Sequence, residues 1–347
     1  MAATRALLDG GRWHFQHGPM DVVLQAEGEP QAVAAAHADA WARFMPLLDE
    51  LVAELPLLKR PIAAGAAPAG PVARRMWDAC AVHAPLFMTP MAAVAGAVAQ
   101  ELIAAYRRAG IVRAWANNGG DIAFHLAPGT SARVGLYADL ARFDPADAAA
   151  LRTDGQFDVH AAQPVRGVAT SGWRGRSFSL GIADSVTVLA ATAAGADAAA
   201  TVIANAVDVS HPDIRRLPAS ECKDGSDLGD TPVTVEVPAL PPQAVARALD
   251  AGAQRARAVQ AAGHAFAAIL VCQGQWRLVQ PLSSASGEAG QPALGSHHEF
   301  GPRAATPLVR GAIAAVLTNP FAGRYEPDIL PMMDLLEPVG VDMAHRL

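Results

Sequence analysis

Ala116-Asn117-Asn118-Gly119-Gly120-Asp121-Ile122 lies between two apolar, strand-like runs, Ile111-Val112-Arg113-Ala114-Trp115 before it and Ile122-Ala123-Phe124-His125-Leu126 after it. Asn118-Gly119 is a dipeptide suited to a tight hairpin turn, because both residues tolerate positive φ. One reading stops there, at two strands and a hairpin tip. A second reading starts from what the turn carries. Two adjacent glycines let a ligand approach the backbone, their N–H groups suit anionic oxygens, and Asp121 sets a carboxylate at the strand mouth. A bare hairpin needs neither the second glycine nor the acid.

Upstream, Thr89-Pro90 opens a helix that feeds this strand. Thr89 suits the cap, Pro90 the first helical position, and Gly110 closes the element after Arg107-Arg108. Met91, Val94, Ala95 and Val98 give it a small apolar face for close packing on a sheet. Further upstream, residues 1–28 read as a strand pair with a turn at His17-Gly18-Pro19, in which Trp13, Phe15 and His17 alternate with Arg12, His14 and Gln16. Residues 30–58 are patterned as helix, and Pro46 is expected to split it because proline forfeits a helix hydrogen bond. Residues 59–72 read as loop, and Cys80 and His83 as buried packing residues.

Downstream, residues 132–137 form a short strand and 139–159 a polar excursion with a short helix. Arg166-Gly167-Val168-Ala169-Thr170 returns to strand and ends in Ser171-Gly172, and Ser177-Phe178-Ser179-Leu180-Gly181 alternates again. Ser185-Val186-Thr187-Val188-Leu189-Ala190 is a β-branched core strand. The alanine-rich helix of residues 196–208 carries Asp197, Thr201 and Asn205 at four-residue spacing, hence on one face. A carboxylate, a hydroxyl and an amide so placed suit a hard cation such as magnesium. The same spacing equally suits an acid that favours the helix dipole, with Thr201 and Asn205 toward solvent. A strand at 233–237, a helix at 241–263, a hairpin over 266–280 and a Ser/Gly/Ala-rich linker follow.

The 347-residue chain is 52% hydrophobic and 17% charged, which excludes a disordered protein and allows one large domain or two. A formal net charge of −6 leaves no basic footprint for nucleic acid or an anionic membrane. The apolar run around residues 91–99 is too short to span a bilayer, and no apolar signal core stands at the N-terminus. Three scattered cysteines, Cys80, Cys222 and Cys272, match neither a disulfide framework nor a zinc spacing, so a cytoplasmic location is expected.

Asn118-Gly119-Gly120-Asp121-Ile122, Thr170-Ser171-Gly172, the strand from Ser185 to Ala190, and Ala196-Asp197-Ala198-Ala199-Ala200-Thr201 occur in the order found in the ApbE superfamily, whose flavin-binding, magnesium-dependent members move FMN from FAD onto a protein hydroxyl. His14-Phe15-Gln16-His17-Gly18-Pro19 and residues 90–97 resemble the superfamily's uncharacterised branch. The resemblance covers residues 1–280 and implies an α+β, ApbE-like fold of mixed sheets flanked by helices, with a short C-terminal appendage. It further implies that Asp197 and Thr201 hold magnesium, that Asn118, Gly119, Gly120 and Asp121 lie beside the nucleotide, and that Thr170, Ser171 and Gly172 line the flavin pocket. FAD and magnesium are the cofactors implied. One departure is plain: flavin transferases carry a His-Ile-x-Asp-Pro-x-Thr-Gly type of segment between the Thr-Ser-Gly and Ser-Val-Thr-Val motifs, whereas residues 173–184 here contain neither histidine nor proline.

Residues 310–325 resemble the beginning of the "amino acid synthesis" family. This gives three parts: an ApbE-like domain over 1–280, a linker over 281–296 and a partial, fused segment over 297–347. His297-His298-Glu299 lacks metalloprotease spacing and reads as a solvated junction. Three functions stay open. The first is a flavin- or nucleotide-binding protein of the transferase type. The second is a hydrolytic enzyme of nitrogen-heterocycle breakdown, with His14, His17, Arg166 and Ser171 as catalytic groups and a histidine as general base. The third is a non-enzymatic assembly partner of an "amino acid synthesis" protein. The partners expected are a small molecule or flavin nucleotide, such a protein, and further copies of the chain in a homo-oligomer.

Overall fold

The computed structural model describes residues 2–64, 66–136, 155–175 and 177–282. Residues 283–296 of the expected linker, the segment 297–347 with His297-His298-Glu299, and the short helix expected in the polar excursion lie outside the described residues.

Alternating apolar runs build the strands β1 (Thr4–Leu8), β2 (Arg12–His17), β3 (Met20–Gly28), β4 (Ile111–Asn118), β5 (Asp121–Leu126), β6 (Ser131–Leu136), β7 (Gly155–His160), β8 (Gly167–Ser171), β9 (Ser185–Ala190), β10 (Arg215–Pro218), β11 (Pro232–Glu236), β12 (Ala267–Cys272) and β13 (Gln275–Val279). The helices are α1 (Pro30–Ala53), α2 (Leu55–Leu58), α3 (Pro71–Ala81), α4 (Val94–Ile103), α5 (Ala193–Ala206), α6 (Ala219–Cys222) and α7 (Pro242–Ala261). Nine strands make one sheet in the order β1-β2-β3-β4-β5-β8-β9-β12-β13, and the pairs β6-β7 and β10-β11 stand apart.

The class is α+β. The expectation of mixed sheets is corrected: among the described residues every pairing is antiparallel. Tight turns require this for β1-β2, β2-β3, β4-β5 and β12-β13, because strands joined by two or three residues can pair only antiparallel. The N-terminal strand pair gains a third member, β1, at the sheet edge.

Side chains alternate between the two faces of the sheet. One face is covered by α1, α4, α5 and α7, with Phe15, Leu24, Ala116, Ala169 and Val188 in the main core. The other face meets the β6-β7 hairpin, where Trp115, Ile122, Phe124, Val168 and Leu189 pack on Val134, Phe157 and Val159.

Four helical expectations are corrected. Pro46 does not split α1, which runs unbroken to Ala53. Ala36, Ala40, Phe44, Leu47 and Leu51 are buried at helix spacing, and burying each large apolar side chain stabilises by roughly 1.5–3 kcal/mol, enough to offset one missing hydrogen bond. The helix expected from Thr89 to Gly110 is three pieces: a 3-10 turn over Pro90–Ala93, α4, and another turn over Ala104–Tyr106. Thr89 does not cap it, because its hydroxyl donates to the Asp227 carboxylate instead. Asn205 does not face solvent; its Oδ1 accepts from the backbone N–H of Leu180 at 2.9 Å and from Ser179 Oγ at 3.2 Å. The stretch around Ser177-Phe178-Ser179-Leu180-Gly181 is accordingly loop, not strand.

Glycine is required where α5 presses onto its neighbours. A Cβ on Gly167 would lie 2.3 Å from Ala193 Cα, and one on Gly96 would lie 2.3 Å from the Ala193 carbonyl oxygen. Those two glycines seat α5 directly on β8 and α4.

Candidate functional site

Antiparallel order gives the sheet two distinct ends. One end gathers the turns after β2, β4, β8 and β12, and the Gly119–Gly120 tip lies there. Asn118 pairs with Asp121, so the two-residue loop is Gly119-Gly120, with φ of 65° and 111°. The sequence placed the turn centre at Asn118-Gly119; instead Asn118 completes β4 and its Nδ2 donates to the Ala95 carbonyl at 3.2 Å. The Gly120 N–H is engaged as well, donating to Asn117 Oδ1 at 2.8 Å. That bond fixes the tip, which leaves open space above Gly120 where a Cβ would point.

Asp121 opens β5 on the helix-covered face and is buried. Its Oδ1 accepts from the Thr170 N–H at 3.1 Å, tying β5 to β8. Asp197, in the second turn of α5, comes down onto the same spot. Its Oδ2 accepts from the Gly96 N–H at 2.9 Å, and its carboxyl shares a hydrogen bond with that of Asp121. Asp197 lies deep among packed elements yet keeps part of its surface accessible. Burial raises its pKa well above the usual carboxylate range, and the Asp121 charge raises it further, against the backbone N–H groups of Gly96 and Ala95. No lysine or arginine contributes to that balance.

Two carboxyl groups in this relation hold one proton between them or gather a cation. Magnesium suits such a donor set, since it is bound through one or two carboxylates and completes its shell with water and phosphate oxygens. The residues present fit the ion on that ground. Among the described residues no group of three or more His, Cys, Asp or Glu side chains is placed to hold a metal ion, here or elsewhere. Thr201 lies one helical turn beyond Asp197, about 6 Å along the axis, toward the end of the sheet that holds the glycine tip.

Thr170 Oγ1 and Thr187 Oγ1 are 2.9 Å apart across β8 and β9. Ser171 ends β8 on the same face as Asp121, two residues beyond Ala169. Gly172 follows, and a Cβ there would lie 2.4 Å from the Asp184 carbonyl oxygen, so close backbone packing alone accounts for this glycine.

The proposed catalytic group does not assemble. His17 ends β2 at the same end of the sheet as the glycine tip, but two strands from β4, with its ring 6.4 Å from that of Phe44. His14 belongs to the row His14–Val23–Asn117–Ile122, which faces away from Asp121, and its Nε2 is 2.8 Å from Asp21 Oδ1. Arg166 stands at the opposite end of the sheet, where its guanidinium donates to the carbonyls of Ala161, Gln163 and Val165. These three side chains are therefore separated by face and by end. Sequence reading passed over Gly96 and Asn117, which hold Asp197 and the glycine tip; only the fold reveals them.

Among the described residues the chain is an α+β domain with an antiparallel sheet under a helical layer and a carboxyl pair near a glycine tip. Residues 4–278 match the family model described as "AbpE bacteria", and the chain belongs to that family. Residues 295–347 match the model described as "Amino acid synthesis". Among curated proteins the chain is similar to a UPF0280 protein of Methanosphaerula palustris, 34% identical over 56% of this chain and 77% of that protein. It is also similar to a UPF0280 protein of Methanothrix thermoacetophila, 38% identical over 40% of this chain and 53% of that protein, so the match spans about half the length of that relative. A third, UPF0280 protein MJ1526 of Methanocaldococcus jannaschii, is 40% identical over 34% of this chain and 44% of its own length.

Proposed function

We propose that the domain binds a nucleotide, in the first instance a flavin nucleotide, through its phosphates and a magnesium ion held by Asp121 and Asp197 on an ApbE-like fold. The observation that carries this reading is the hydrogen bond between the carboxyl groups of Asp121 and Asp197. Thr201 would add a hydroxyl oxygen to the ion. The ion would supply positive charge against phosphate oxygens, which no lysine or arginine supplies to Asp197. Gly119 and Gly120 leave room for close approach of a ligand to the backbone, and Thr170, Ser171 and Gly172 border the same end of the sheet.

Binding is proposed, rather than FMN transfer. Transfer needs groups that stabilise a breaking pyrophosphate and activate a hydroxyl, and residues 173–184 lack the histidine that the transferase segment carries. The test is calorimetric titration of FAD, FMN and ADP with and without magnesium. Binding that requires magnesium, and that Asp197→Asn abolishes, is the expected result. Equal affinity with and without the ion, or no binding of any of the three, overturns the reading.

A further inference from the structure

At the end of β5 opposite Asp121 lies a cavity of about 580 Å³, lined among the described residues by Arg107, Arg108, Ala109, Phe124, His125 and Arg166. Asp121 and His125 are four residues apart on one strand, about 13 Å, so the cavity and the carboxyl pair are separate places. We infer that this cavity is a binding site for a phosphate monoester, with Arg107 and Arg166 as its anion-holding groups and His125 beside them.

The arginines divide by their partners. Arg108 is already neutralised: its guanidinium is 2.5 Å from Asp39 Oδ2, and its Nε donates to the Ala105 carbonyl. Arg166 is held by three backbone carbonyls, which orient the guanidinium, and no carboxylate among the described residues pairs with it. Arg107 is exposed, and no carboxylate among the described residues pairs with it. These two cations are close enough to disfavour one another: burial first, then Arg107, lowers the pKa of Arg166. Burial, then Arg107 and Arg166, likewise lowers that of His125, against a hydrogen bond to the Ile111 carbonyl.

Positive charge concentrated in this way costs free energy through the mutual repulsion of the cations. A dianionic oxyanion removes that cost. Guanidinium groups meet phosphate oxygens with paired, charge-assisted hydrogen bonds, and two guanidiniums without a carboxylate partner match the two charges of a monoester. The cavity volume exceeds that of a bare phosphate and falls in the range of small-molecule sites, so an organic portion of the ligand has room beside Ala109 and Phe124.

The experiment uses the full chain with EDTA present, so that the carboxyl pair holds no ion. Inorganic phosphate and glycerol phosphate are titrated by calorimetry, with acetate and sulfate in parallel. Both phosphates are expected to bind, with acetate weaker by about tenfold or more, as a second charge-assisted bond is worth. Arg107→Gln, a change at an exposed position, should weaken phosphate about tenfold while circular dichroism and melting temperature stay unchanged. Arg166→Lys should weaken it further, and Asp197→Asn should leave it unaltered. No phosphate binding, equal binding by Arg107→Gln, or acetate binding as well as phosphate overturns the proposal, whereas sulfate, a dianion of the same shape, is expected to bind alongside phosphate. Loss of magnesium-dependent nucleotide binding with phosphate binding intact would instead count against the carboxyl-pair site alone.

Discussion

Gly96 and Asp197 meet at the crossing of α4 and α5, where the Gly96 N–H donates to Asp197 Oδ2 at 2.9 Å and a Cβ on Gly96 would lie 2.9 Å from Asp197 Cβ. The same Cβ would stand 2.3 Å from the Ala193 carbonyl oxygen. Backbone on one side and a buried acid on the other leave no direction in which to yield. Gly96→Ala is therefore expected to destabilise by about 2–3 kcal/mol or more, the cost of overpacking a tight core. Urea unfolding measures it, and a change below a few tenths of a kcal/mol would show that the helices separate freely.

Asp197→Asn has the opposite sign for stability. The amide oxygen still accepts from Gly96, while the second acid beside Asp121 is gone. A carboxyl whose pKa is raised in the folded state opposes folding at pH above its unfolded value, so removing it should stabilise the protein at pH 7 by about 1 kcal/mol or more. The same change should abolish any magnesium-induced rise in melting temperature. Stability gained where binding is lost is the signature of a functional group held under strain. Thermal unfolding of both proteins, with and without magnesium, decides the point.

Much of the fold was legible because local pattern and global fold agree. The β-branched strand from Ser185 to Ala190 and the hairpin ending at Val279 stand within two residues of where alternation puts them. The exceptions are physical. Pro46 sits inside α1 because Phe44 and Leu47 are pinned to the core, a tertiary contact that local propensity does not contain. Thr89 reads as a cap, but its hydroxyl finds Asp227, far along the chain. The proximity of Asp121 and Asp197 was suggested by the order of motifs, not by spacing, and sheet order brings them together. The arginine cavity was invisible because Arg107, His125 and Arg166 come from three elements, and which end of the sheet each occupies is decided only by the strand order.

Two buried histidines make stability depend on pH. His37, whose Nδ1 lies 2.7 Å from Tyr106 Oη, and His83 are both lowered by burial to about 4; nearby His264 and Arg255 add to the effect at His83. Their folded-state pKa lies below the unfolded value of 6.5, so the unfolded chain binds more protons as pH falls. Stability is then fully present above pH 6.5 and declines between 6.5 and 4, by up to about 3 kcal/mol for each histidine. His37→Gln should flatten this limb in a series of denaturant titrations. An unchanged slope would mean that His37 takes up its proton in the folded state as easily as in water.

Glu101 decides how α1, α3 and α4 are held to one another. Its Oε1 accepts from Arg43 Nε at 2.6 Å and its Oε2 from Arg75 at 2.7 Å, with only 15% of the side chain exposed. Both arginines lower its pKa, against a burial penalty that is the largest single influence. Asp250 offers a comparison, since its bond to Arg277 at 2.8 Å is at the surface, with the carboxylate 64% exposed. Solvent screening reduces an exposed pair to about 0–1 kcal/mol, whereas a charge left without its partner in a protected place costs several times more. Glu101→Gln should therefore destabilise by about 2 kcal/mol and Asp250→Asn by less than about 0.5 kcal/mol. Raising the salt concentration should shrink the second effect more than the first, because exposed charges are screened and enclosed ones are not. Equal losses for the two variants would place Glu101 in the same solvent environment as Asp250 and remove its role as the clamp between the three helices.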